Sequence, residues 1–264
     1  MSKRVVRAVW SGSPLSVYEQ LSLASFVYQG HAVELFSYDE IEVPHGVQLS
    51  DARRILPYSS RFSYSTPPAK GSFAAFSNVF RFKMLYELGG IWADLDTLCL
   101  KKIDDLPEAF VSWEPNDIVN VSVCGFSPRH AIARSACEEL ERVGNRLLIG
   151  DTAKILTSIV KNNSKICSAL PYKMFYPIGW EMAWVAFDPE TRHECEKSVA
   201  DSYCLHWWNT AVEFGMRLPK AKLPPPGSYL FEKAAEVFGS RELPAWSPDE
   251  MSPFLKNLKD LQKS

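Results

Sequence analysis

Apolar positions along the chain change period several times, and each change marks an element. Residues 5–10, Val5-Val6-Arg7-Ala8-Val9-Trp10, form a short apolar run that ends in the turn cluster Ser11-Gly12-Ser13-Pro14, which predicts a buried strand. Residues 15–28 carry apolar side chains near helical spacing and stop at Gly30, a helix followed by a natural terminator. Residues 32–38 read as a second strand. Together they predict β-α-β, the opening of a parallel α/β sheet. Residues 51–56 suggest a short helix, and 63–70, with Pro67-Pro68, a loop.

Downstream, Phe73, Phe76, Phe80, Met84 and Leu88 recur at intervals of three or four and predict one apolar stripe of an amphipathic helix. Gly89-Gly90 ends it, since glycine accepts the left-handed conformation of a helix cap. Residues 91–93 read as a short strand leading into Asp94 and Asp96, and 97–100 as extended chain. Strands are expected at 118–126 and 202–208, and helices at 130–148 and 151–160. From about Leu218 a tail with Pro224-Pro225-Pro226 is expected to wrap or close over the body. The division is thus a catalytic domain over 1–217 and an extension over 218–264.

Composition narrows the class. The 264 residues are 46% hydrophobic and 23% charged, ordinary for a globular domain with one substantial core. A net charge of −2 argues against bulk attraction to nucleic acid. The basic start runs into an apolar segment that Arg7 interrupts, with no small-residue cleavage site, so it reads as a strand and not a signal peptide. No apolar stretch approaches the roughly 20 residues that span a bilayer. The expected location is cytoplasmic, or peripheral to the inner membrane. Six scattered cysteines without metal-type spacing predict buried free thiols.

The candidate chemistry lies in Asp94-Leu95-Asp96. Side chains at i and i+2 of extended chain point the same way, so both carboxylates can face one ion. Oxygen ligands on a short turn suit Mg²⁺ or Mn²⁺, and loops after strands are where α/β sheets expose ligand sites. An acidic triplet alone is common on solvated loops; its setting behind a helix and two glycines is not.

That setting, Asn78-x-x-Arg81-x-x-x-Leu85-Tyr86-x-Leu88-Gly89-Gly90-Ile91-Trp92-x-Asp94-x-Asp96, resembles the sugar-binding region with the DXD motif of glycosyltransferase family 32, with related patterns in α-1,4-glycosyltransferases and clostridial glucosylating toxins. The match covers about 30 residues, with weaker resemblance at the first strand and at His206-Trp207-Trp208-Asn209. The resemblance implies a GT-A-type, Rossmann-like α/β fold, with a mixed, mostly parallel sheet flanked by helices. It also implies retaining transfer of a hexose from a nucleotide sugar, UDP preferred over GDP, to a glycan or lipid-linked glycan acceptor in bacterial surface polysaccharide or lipopolysaccharide synthesis. Asp96 would ligate Mn²⁺ (or Mg²⁺) directly. Asp94 would contact ribose or sugar and metal, and Arg81 sugar hydroxyls or phosphate. His206 would complete the metal shell and Asn209 stand near the diphosphate. Trp207 and Trp208 would wall the donor pocket, or pack as core and rim.

Asn78 departs from the pattern, which usually has aspartate there; an amide keeps an acceptor but carries no charge. Trp10, at a strand end, is a candidate for stacking on the base, against simple core packing. Asn120, an amide in an apolar strand, and Asp151, otherwise a helix cap, are candidates for the sugar or acceptor side. Three rival readings stand beside this one. Residues 93–98 superficially resemble a haloacid-dehalogenase phosphatase motif, but one residue is missing between Asp96 and Thr97. A non-catalytic carbohydrate-binding protein would keep the fold, and an effector-type protein glycosyltransferase would keep the chemistry.

Overall fold

The computed structural model describes residues 4–12, 14–67, 69–239 and 242–261. The turn position Ser13, the loop position Pro68 and the extension's residues 240, 241 and 262–264 lie outside the described residues.

The chain opens as its periodicity predicts, with strand β1 (Val6–Trp10), helix α1 (Val17–Tyr28) and strand β2 (Val33–Ser37). Ser16 caps α1, accepting from Tyr18 N–H while Glu19 reaches back to the Ser16 N–H, a reciprocal capping box that satisfies two orphan donors of the first turn. Strand β3 (Val47–Asp51) was not expected. It is short and largely polar, because it forms the sheet edge and buries little. The helix expected over 51–56 shrinks to a single 3-10 turn, Ala52–Arg54.

Helix α2 (Ala74–Leu88) follows, and its burial corrects the expected single stripe. Phe76, Phe80 and Met84 are buried, but so are Val79, Phe82 and Leu85, because α2 lies between the sheet and helix α3 (Ala131–Val143). A helix covered on two sides is apolar most of the way round. Phe73 stays exposed ahead of the helix. The helix expected over 130–148 ends early, at Gly144, whose φ is 57°.

Strands β4 (Gly90–Ala93), β5 (Thr97–Cys99), β6 (Phe110–Trp113), β7 (Val119–Phe126), β8 (Ser168–Leu170) and β9 (Cys204–His206) complete the strand set. Seven of them form one sheet in the order β3-β2-β1-β4-β7-β6-β8, and β5 pairs with β9 in a separate two-stranded ladder. β1 to β4 run parallel to their neighbours on that side, whereas β7 is antiparallel to both β4 and β6. The sheet is therefore mixed and mostly parallel, with helices around it, the α/β class expected of a GT-A-type domain. β1 and β4 lie side by side and parallel, so Trp10 and Asp94 emerge together at their carboxyl ends, the usual place for ligands in such sheets.

Helices α4 (Asp151–Asn162), α5 (Arg192–Val199), α6 (Tyr229–Phe238) and α7 (Pro248–Leu261) follow. Residues 218–261 share one apolar cluster with α1 and with residues 183–216: Tyr18, Leu21, Val212 and Met216 join Leu218, Leu230, Met251 and Leu258. Tyr18 also donates to the Lys222 carbonyl at 2.9 Å. All six cysteines are buried free thiols.

Arg7, which breaks the apolar run of β1, is tied across the sheet. Its Nε donates to Glu34 on β2 at 2.8 Å and its Nη1 to the Gly89 carbonyl at 2.8 Å. Gly89 itself has φ 64°, and a Cβ there would lie 2.6 Å from the Pro128 backbone nitrogen. Gly89→Ala should therefore cost more than about 1 kcal/mol. Urea unfolding monitored by circular dichroism checks this, and an unchanged midpoint would contradict it.

Candidate active site

The functional side chains gather in a cavity of about 550 Å³ at the carboxyl ends of β1 and β4. Asp94 leaves β4 and Asp96 follows in a turn, so the backbone is not extended through the pair as expected. The carboxylates converge for another reason: the β5–β9 ladder. Thr97 faces His206 in that ladder. Trp207 N–H donates to the Asp96 carbonyl at 3.0 Å, Asn209 N–H donates to Asp96 Oδ2 at 2.7 Å, and His206 Nε2 lies 3.0 Å from Asp96 Oδ1. On the other side, Asp94 N–H donates to the Ser122 carbonyl of β7 at 2.7 Å.

Asp94 is held by its Oδ1. Arg81 Nη2 donates to it at 2.5 Å and Trp92 Nε1 at 2.6 Å. Arg81 is only 4% exposed; its Nη1 donates to the Val121 carbonyl at 2.9 Å, and its guanidinium lies over the Trp92 ring. Two of its nitrogens are thus committed to fixing Asp94 and β7, while its buried Nε has no partner among the described residues. Arg81 thus ties the Asp94 carboxylate to β7.

One ligand atom each from Asp94, Asp96 and His206 lies within 4.8 Å of the others. Ligands on adjacent corners of an octahedral site with ~2.1 Å bonds sit roughly 3 Å apart, which the His206–Asp96 separation of 3.0 Å matches. Two carboxylates and an imidazole suit Mn²⁺ or Mg²⁺ by their chemistry, so these residues fit a divalent cation. Burial raises the Asp94 carboxyl above the ordinary range and the Asp96 charge adds to it, against the opposing pull of Arg81. Burial also opposes ionisation of Asp96, but His206 and the Asn209 N–H together hold its carboxyl below the ordinary range. Burial disfavours charge on His206, yet Asp96 and Asp94 outweigh it and raise its pKa.

The remaining candidates are distributed as follows. Asn78, Trp10, Asn120 and Asn209 all line the cavity. Trp10 is half-buried, and its Nε1 has no partner among the described residues. Asn120 Nδ2 donates to Glu114 Oε1 at 2.7 Å, and its Oδ1 accepts from Ser122 N–H at 2.8 Å. Asp151 does not line the cavity; its carboxylate turns back to accept from Leu148 N–H at 2.9 Å, and Gly150, Thr152 and Ala153 present that turn to the cavity instead. Trp207 is core, 6.3 Å from the Tyr18 ring, and only Trp208 reaches the cavity wall. Trp208 has φ 57°, a left-handed turn that sends the two rings apart.

Sequence reasoning missed Glu114, Thr152 and Lys220. Glu114 precedes the turn-forming Pro115-Asn116-Asp117, a signal for a carboxylate at a strand end. Lys220 has no local motif. Its Nζ bonds Glu19 at 2.5 Å and lies 3.0 Å from Glu213, with the Asn209 amide oxygen at 3.4 Å.

Two aspartates behind a central strand and a histidine from the β5–β9 ladder meet in one cavity, as the DXD resemblance implies. Two family models match this chain: "Glycosyltransferase sugar-binding region containing DXD motif" over residues 36–113 and "Alpha 1,4-glycosyltransferase conserved region" over 151–222. The chain is thus family-32-like, as the segment from Asn78 to Asp96 implies. Among curated proteins it is similar to lactosylceramide 4-alpha-galactosyltransferase of Rattus norvegicus, 24% identical over 145 residues, covering 50% of this chain and 40% of the relative. The Homo sapiens protein of the same name is 23% identical over 145 residues, covering 50% and 41%. The chain therefore spans about two fifths of these relatives' length. Among solved structures, the PaToxG glycosyltransferase aligns over 98% of this chain and 86% of its own, at 12% identity and TM-score 0.47. GlyE of Streptococcus pneumoniae TIGR4 aligns over 99% and 64%, at 13% identity and TM-score 0.49.

Metal ligation requires neutral imidazole, whereas Asp96 and Asp94 favour the protonated form, so proton and cation compete at His206. Mn²⁺ affinity should fall about tenfold per pH unit as pH drops below the raised His206 pKa. Calorimetric titration with Mn²⁺ from pH 6 to 8 checks this; a flat profile would remove His206 from the shell. His206→Ala should bind Mn²⁺ more weakly and lose most of the pH dependence.

Proposed function

We propose that this chain transfers a hexose from a nucleotide-diphosphate sugar, UDP preferred over GDP, to a glycan or lipid-linked glycan acceptor with retention of anomeric configuration. The observation that carries the reading is the convergence of Asp94, Asp96 and His206 in one cavity beside Trp10 and Asn78. The activity that the curated relatives are named for, 4-alpha-galactosyl transfer to lactosylceramide, supports a hexose donor and a glycolipid-type acceptor. The pathway class proposed is bacterial surface polysaccharide or lipopolysaccharide synthesis, and the location cytoplasmic or peripheral to the inner membrane. Among the described residues no helix is long and apolar enough to cross a membrane.

In this reading the bound divalent cation supplies electrostatic stabilisation of the negative charge that develops on the leaving diphosphate. The protein's own residues prepare that site. Asp96 and His206 would hold the cation from the β9 side. Arg81 and Trp92 fix the Asp94 carboxylate, so that little reorganisation is needed when the donor arrives. Trp10 offers an aromatic face at the end of β1 for the base, and Asn78 an uncharged amide for a sugar hydroxyl or phosphate oxygen. Asn209, bonded to Asp96 through its backbone, places its side chain beside Lys220, where the diphosphate would be received.

A screen of nucleotide sugars for Mn²⁺-dependent hydrolysis, wild type against Asp96→Ala, tests the assignment. The substitution should remove nearly all turnover while the far-ultraviolet circular dichroism stays native. Equal activity in both proteins would refute the metal assignment. Absence of turnover and of metal-dependent nucleotide binding across the whole panel would refute the transferase reading.

A further inference from the structure

Two polar groups in the cavity wall are not among the three clustered ligand residues. The first is Glu114, just past the end of β6. Its backbone is fixed by a tight turn, with Glu114 N–H donating to the Ile118 carbonyl at 2.7 Å and Asp117 N–H to the Glu114 carbonyl at 3.2 Å. Asp117 adopts φ 56° to close that turn. The Glu114 side chain is fixed by Asn120, which donates to Oε1. Its Oε2 accepts no hydrogen bond from a described residue, and no described lysine, arginine or histidine forms an ion pair with it. Glu114 is only partly buried, so Oε2 is open to donors that arrive with water or with a ligand.

The second is Thr152 at the start of α4. It is 6% exposed, lines the same cavity, and its Oγ1 has no partner among the described residues. The turn around it is open as well. Gly150, the N-cap, has φ 86° and provides no side-chain cap. The Thr152 and Ala153 N–H groups are among the first-turn donors that an α-helix leaves without an intrahelical acceptor. α4 lies against β7, where Thr157 Oγ1 accepts from Val119 N–H at 2.8 Å. The helix start and the Glu114–Asn120 pair therefore belong to one wall.

We propose that Glu114 and Thr152, with the uncapped first turn of α4, bind the hydroxyl groups of the transferred sugar and determine which sugar is accepted. The inference rests on the transferase reading and deepens it. The chemistry of the wall selects the ligand class. Glu114 only accepts, the α4 amides only donate, and the Thr152 hydroxyl does both. Sugar hydroxyls each donate one hydrogen bond and accept others, so neighbouring hydroxyls use both kinds of partner. A phosphate has no proton for Glu114 and would be repelled by its charge. The wall also supplies a carboxylate to a cavity in which Asn78 stands where the family pattern has aspartate.

The test uses Thr152→Val and Glu114→Gln in the full chain, with whichever nucleotide sugar the wild type hydrolyses fastest in Mn²⁺. Thr152→Val removes a buried hydroxyl that has no protein partner, so its melting temperature should equal or exceed that of the wild type. Its kcat/KM for donor hydrolysis should nevertheless fall about fivefold, and that of Glu114→Gln about tenfold or more. Binding of the free nucleoside diphosphate with Mn²⁺ should stay within about twofold of wild type for both, because that ligand carries no sugar. Donor kcat/KM within about twofold of wild type in both variants would overturn the inference. So would an equal loss of nucleoside diphosphate binding, or a defect seen only when acceptor is present, which would move the subsite to the acceptor. Failure of the wild type itself to bind nucleotide or turn over any donor would instead sink the transferase reading. Should Glu114→Gln fail to fold, Thr152→Val decides alone.

Discussion

Asp96 is the point through which distant parts of the chain are joined. Its carbonyl, both carboxylate oxygens and the strand that follows it all engage residues 204–209. A contact across more than one hundred residues has a loop-closure cost that grows only slowly with length, and here the cost is offset by a ladder, two backbone hydrogen bonds and a buried imidazole–carboxylate pair. Without this ladder the DXD turn would be held only at Asp94, by β4, β7 and Arg81. With it, the turn is clamped between β7, through Asp94 N–H, and β9. Burying one member of a carboxylate–imidazole pair without the other is costly, so the two halves of the site must form together.

The local elements were legible because their signals are local. A turn cluster and a stop glycine framed β1, α1 and β2, and Gly89-Gly90 ended α2. Three strands were not. β3 is a polar edge, β8 is three residues long, and β6 is defined by its partners β7 and β8 more than by its own composition. The single stripe assigned to α2 failed because a helix covered by both a sheet and α3 has no solvent face over most of its length. Periodicity reports how many faces are dry, and the second cover comes from a helix over forty residues away.

The site divides along the same line. Asn78, Arg81, Asp94 and Asp96 sit within nineteen consecutive positions, so one motif exposes them all. His206 and Asn209 were reachable only through resemblance. Their role depends on the register of β5 against β9, which no local pattern specifies. Trp207 and Trp208 show the limit well: the dipeptide is visible, but a left-handed φ at Trp208 decides which ring faces the cavity. Arg81 shows another. Its spacing marks it as part of the site, whereas only its partners reveal that it holds Asp94.

Charge explains why the site and its cation belong together. The cavity wall carries five carboxylates, Glu19, Asp94, Asp96, Glu114 and Glu213, against two permanent cations, Arg81 and Lys220. Both cations are already committed, Arg81 to Asp94 and Lys220 to Glu19 and Glu213. A nucleoside diphosphate would bring further negative charge into a space with no uncommitted positive side chain on its described wall. In a partly dehydrated cavity such like-charge contact is far more costly than in water. A divalent cation on Asp96 and His206 would reverse the local sign and give the phosphates a partner. On the proposed reading the acidic surplus would draw the cation in, and Glu114, which is not among the three clustered ligand residues, would remain to accept from hydroxyl groups.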